Sequence, residues 1–134
     1  MDTETRWRGS IRAALSAPVL AIALSLGATP APAHHSYAMF DMNRTVVLDA
    51  SVTRFKWQNP HAFIEADVAV NGGSEHWAIE MTSPNNLAQE GWKRGSLKQG
   101  DHVRIWVHPL RTGARGGSYA GVRLADGSTL GQVS

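Results

Sequence analysis

The chain contains no cysteine. That absence excludes disulfide staples, zinc–thiolate centres and cysteine nucleophiles, so any bound metal must be held by nitrogen, oxygen or methionine sulfur. An excess of one charge is also missing. Lysine and arginine total 13 against 11 aspartates and glutamates, a formal net charge of +2. Arg6, Arg8 and Arg12 carry part of this at the start of the chain, and the remaining charges are interspersed in sign. No basic stripe of the kind that tracks phosphates is present, and no nucleic-acid partner is expected. Phosphate loops are lacking too, since Gly113, Gly116 and Gly117 are followed by neither Lys-Ser/Thr nor a helical pattern. Ser36, although beside two histidines, lacks the strand-turn-helix setting of an activated nucleophile, so no catalytic residue is assigned.

Long apolar runs are scarce as well, and the single one stands near the start. Leu15, Val19, Leu20, Ile22, Leu24 and Leu26 follow the basic residues and lead to small residues at Ala31 and Ala33, the layout of a secretory signal. Pro18 interrupts the run, which argues against a retained membrane anchor. Residues 1–33 are therefore expected to be a cleavable signal peptide. Residues 34–134 are then a single periplasmic or secreted domain, large enough for one core and too small for two.

Alternation of apolar and polar residues marks strands through the remainder. Leu48, Ala50 and Val52 share one face of a segment from Val46 to Trp57; Ala62, Ile64, Ala66 and Val68 share one face of the next. A turn at Asn71-Gly72-Gly73 leads to a third strand near Glu75 to Met81. Ser83-Pro84 opens a short helix to about Trp92, with Leu87, Ala88 and Trp92 as its apolar side and Gly95 ending the helical pattern. Val103, Ile105 and Val107 face inward on a fourth strand, with His102, Arg104, Trp106 and His108 opposite. After a glycine-rich loop from Thr112 to Gly117, a fifth strand spans Ser118 to Leu124 and a short tail follows. The fold expected is all-β with one short helix, β-β-β-α-β-β, a small five-stranded OB-like barrel; a small open sandwich is the alternative.

Cleavage after Ala33 would make His34 the first residue. Its amine and imidazole can chelate one copper ion, and His35 stands beside it. Cleavage after Pro32 would instead put a histidine third, again competent for Cu(II). His61, behind Asn59-Pro60, has a restricted backbone and is the further imidazole chosen for the site, against a reading in which it bonds a turn. His76, Glu80, His102 and His108 carry less weight, because the sequence does not reveal cross-strand register. Met39 can offer a thioether to Cu(I), although Tyr37, Met39 and Phe40 read more simply as apolar groups tying an N-terminal arm to the barrel. Trp57, Trp92 and Trp106 form the competing site, an aromatic face for a small molecule, glycan, peptide or partner protein, with Trp106 the best candidate for an exposed or ligand-facing ring.

These residues also resemble a family of uncharacterised exported bacterial proteins, a domain of unknown function. The resemblance is carried by His34-His35-Ser36-Tyr37, Phe40-Asp41, Trp57-Gln58-Asn59-Pro60-His61, Ser83-Pro84-Asn85, Gly91-Trp92 and Gly100-Asp101. It implies a small periplasmic barrel and draws attention to His35, His61, Asn59, Trp57 and Trp92, but no reaction. Two functions stay open: a periplasmic copper-binding protein using His34, His35 and His61, and a metal-free binding module.

Overall fold

The computed structural model describes residues 37–133. The expected signal segment, 1–33, and His34 and His35 lie outside the described residues. Seven elements follow in order: β1 (Val46–Lys56), β2 (Phe63–Val70), β3 (Gly73–Glu80), α1 (Pro84–Gln89), β4 (His102–Pro109), β5 (Gly116–Arg123) and β6 (Thr129–Gly131). Strands β3, β2, β1, β4 and β5 are hydrogen-bonded in that order. The ring closes where β5 runs parallel to β3, from Ala78 opposite Gly116 to Glu80 opposite Ser118. This is the five-stranded OB-type barrel, with the helix inserted between β3 and β4. Among the described residues no helix is long and apolar enough to cross a membrane.

The alternating residues fill its interior. Leu48, Ala50 and Val52 from β1, Ala62, Ile64 and Ala66 from the second strand and its approach, and Val103, Ile105 and Val107 from β4 are all buried. They form one cluster with Trp77, Ile79, Leu87, Trp92 and Val122. Burying each valine, leucine or isoleucine among them contributes about 1.5–3 kcal/mol, which is the main drive toward closure.

Closure itself depends on glycines. Gly116 and Gly117 belong to β5 rather than to the loop expected before it. A Cβ on Gly117 would collide with the Val107 side chain and the His108 carbonyl, and one on Gly116 would stand 3.0 Å from the Ala78 oxygen. These two residues let β5 press between β3 and β4.

The helix begins as the sequence indicates. Ser83 Oγ accepts from the Asn86 N–H at 3.4 Å, and Pro84 occupies the first turn. It ends at Gln89 rather than Trp92, because Gly91 takes φ of +94°. The Gly91 N–H donates to Ala88 O (3.2 Å) and the Trp92 N–H to Leu87 O (2.9 Å). This pair of bonds is a Schellman termination, with Trp92 and Leu87 as its apolar contact. Gly95 is not the stop, and Ala88 is exposed instead of buried. A further difference is β6: Asp126-Gly127 turns the chain back so that Leu130 pairs opposite Val122 and packs on the core. What reads as a tail is a sixth strand.

Candidate functional site

His61 lies just before β2 and is held against the end of β3. The Ala62 N–H donates to Thr82 O at 3.1 Å and the Met81 N–H to Ala62 O at 2.9 Å, so the β2–β3 ladder extends past both strand ends. Side chains of His61 and Glu80 consequently meet, and His61 Nδ1 is bonded to Glu80 Oε1. An ionised carboxylate only accepts, so Nδ1 is the donor, and in the neutral ring the lone pair is then on Nε2. The imidazole side chain is 37% exposed and the carboxylate 23%. A ring oriented by a carboxylate and reachable at Nε2 is the arrangement found behind metal-ligating histidines.

A second histidine stands on the same stretch of sheet. Ser118 of β5 is opposite Glu80 on β3 and opposite His108 on β4. The backbones of Glu80 and His108 are thus two strand spacings apart, about 10 Å. His108 Nδ1 donates to the Arg44 carbonyl at 2.9 Å, leaving its Nε2 free as well. It borders an open groove of about 400 Å³ together with Tyr37, Met42, Thr82, Glu90, Ser118 and Tyr119. Sequence reasoning gave His108 little weight, because only register reveals Ser118 and Glu80 as its neighbours.

The other polar groups pair among themselves. His76 Nδ1 is 2.8 Å from Asp67 Oδ1, and Ser51 Oγ is 3.1 Å from His102 Nδ1. These four share a row, with Asp67 opposite His76 and Ser51 opposite both Asp67 and His102. Hydrogen bonding to Arg104 holds the Asp49 carboxyl below its usual range, and bonding to Lys56 does the same for Glu65. Among the described residues, no three histidine, aspartate or glutamate side chains are grouped to hold a metal ion. His61 and Glu80 by themselves do not make such a group.

The aromatic expectations need correction. Trp106 is 8% exposed, not a free ring, and Arg123 lies 5.5 Å from its centroid. Trp92 is 1% exposed because the helix termination turns it into the core, where its Nε1–H donates to Tyr119 Oη at 3.1 Å. Burial pushes the Tyr119 hydroxyl above its ordinary pKa. Trp57 keeps partial exposure and packs on Phe55, with centroids 5.8 Å apart. The three tryptophans therefore do not make one exposed face.

The arm also departs from expectation. Phe40 is buried and bridges to Leu110, and the Asp41 N–H donates to Pro109 O at 2.8 Å. Tyr37, Met39 and Met42 remain 54%, 50% and 45% exposed. One apolar residue anchors the arm, while its thioethers stay accessible.

No curated protein and no solved structure matches the chain. The model of a family of unknown function, DUF6152, matches residues 22–119, and the chain belongs to that family.

Proposed function

Starting from membership of a family whose description assigns no activity, we propose that the protein is an exported, periplasmic copper-binding protein, a carrier or small accessory factor. Residues 1–33 act as the signal peptide, and the processed chain begins with His34 and His35. The terminal amine and the His34 imidazole chelate Cu(II), and His61 Nε2 supplies the further nitrogen. The observation that carries this reading is the bond from His61 Nδ1 to Glu80, which orients the ring and leaves Nε2 free. Nitrogen donors of this type favour copper among the divalent first-row metals. No reaction is assigned. The competing aromatic-face module loses support from the burial of Trp92 and Trp106, which leaves Trp57 alone.

The test is competitive Cu(II) titration of the processed protein, repeated with His34→Ala and His61→Asn. Asparagine keeps an N–H near the position of Nδ1 for Glu80 and removes Nε2. Each variant should weaken binding at least tenfold. Affinity unchanged in both would refute the reading.

A further inference from the structure

We propose that the groove between the arm and β5 is a Cu(I) site, with the Met42 thioether and His108 Nε2 as its ligands. It is separate from the His61 reading and stands or falls without it. Four observations support the site. His108 is partly buried, and its ring is fixed by donation from Nδ1 to the Arg44 carbonyl at 2.9 Å, so the free lone pair is on Nε2. Met42 is 45% exposed, and it borders the same groove as His108. The two are preorganised by one turn: the Arg44 N–H donates to Asp41 O at 3.1 Å, and the Asp41 N–H to Pro109 O at 2.8 Å. That turn carries Met42 and also the carbonyl that orients His108. Finally, in a chain without cysteine the only soft donors are thioethers, and a thioether paired with an imidazole suits Cu(I) and disfavours the hard cations calcium and magnesium.

Met39 provides an internal control. It is equally accessible, at 50%, but it does not border the groove. The Met39 carbonyl accepts from the Arg111 N–H at 2.9 Å.

The experiment is anaerobic Cu(I) titration of the exported, processed protein against a chromophoric Cu(I) chelator, with Cu(II) titration in parallel. Variants are Met42→Leu, His108→Asn and Met39→Leu. His108→Asn keeps a donor for Arg44 O and removes Nε2, and thermal midpoints check that each variant is folded. Met42→Leu and His108→Asn should each weaken Cu(I) binding at least tenfold, with Met39→Leu unchanged and Cu(II) affinity unaffected by Met42→Leu. X-ray absorption of the Cu(I) form should show a sulfur scatterer that Met42→Leu removes. Cu(I) affinity unchanged by both groove substitutions would overturn this site while leaving the His61 reading intact. Loss of Cu(I) binding in the groove variants, with Cu(II) affinity indifferent to His34→Ala and His61→Asn, would support this site and overturn that reading. Uptake of neither oxidation state would overturn both.

Discussion

Replacing Tyr119 by phenylalanine removes one oxygen and tests whether Trp92 is a core residue or part of a binding face. Trp92 is 1% exposed, and its indole N–H donates to Tyr119 Oη at 3.1 Å. The rings meet edge to face, with centroids 5.5 Å apart at 81°. Tyr119→Phe keeps that contact and leaves the buried N–H without a partner, which costs about 1–3 kcal/mol. Trp92→Phe removes the donor and also leaves a void beside Phe55, whose ring centroid is 5.6 Å away. It should cost a similar amount or more. In the double variant the hydrogen bond is lost only once, so the cycle should return a coupling of about 1 kcal/mol. Urea denaturation reads this as a midpoint shift on the order of 1 M per single variant with the slope unchanged. Singles within about 0.5 kcal/mol of the parent would match surface behaviour and refute the core assignment.

Other outcomes follow from the same geometry. Glu80→Gln, which weakens the group that orients His61, should lower Cu(II) affinity about 10–100-fold without changing stoichiometry; unchanged affinity in competitive titration would show the carboxylate to be irrelevant. Gly117→Ala should destabilise by about 1–3 kcal/mol or more, because its Cβ would overlap Val107 and the His108 carbonyl. A thermal midpoint equal to the parent's would contradict the tight crossing of β5. Raised in the folded state by burial, the Tyr119 pKa lies above the unfolded value of about 10. The native state therefore holds that proton longer, and this contribution to stability is complete below pH of about 10 and lost as pH rises toward the folded value. Urea midpoints measured across that range should fall faster for the parent than for Tyr119→Phe.

Much of the barrel was legible because its strands bury one face. Leu48-Ala50-Val52 and Val103-Ile105-Val107 announce the inward side by period alone, and Ser83-Pro84 marks the helix start by capping chemistry. What depended on register was not legible. The glycines at Gly116 and Gly117 look like loop residues until β3 and β4 are known to flank them. Trp106 alternates as an outward residue, yet it is buried with Arg123 over its ring. Trp92 reads as the end of a helix face, whereas positive φ at Gly91 makes it the apolar partner of the termination. The sixth strand had a signal in Asp126-Gly127 before Thr129-Leu130, a turn followed by a residue able to reach the core. For the site, Asn59-Pro60-His61 pointed to a constrained imidazole. Its partner Glu80 became visible only when Phe63 was found opposite Glu80 on the neighbouring strand. His108 and Met42, far apart in sequence, are joined by the turn at Arg44 that no periodic pattern reveals.

The central claim is that the processed chain holds copper through its first histidine and His61. Native mass spectrometry of protein purified from the periplasm without chelator, then after addition of one equivalent of Cu(II), tests it most directly. The mass expected begins at His34 with copper bound, and that adduct should be lost in His61→Asn. A correctly processed chain beginning at His34 that takes up no Cu(II), or that takes it up equally well in His61→Asn, would contradict it.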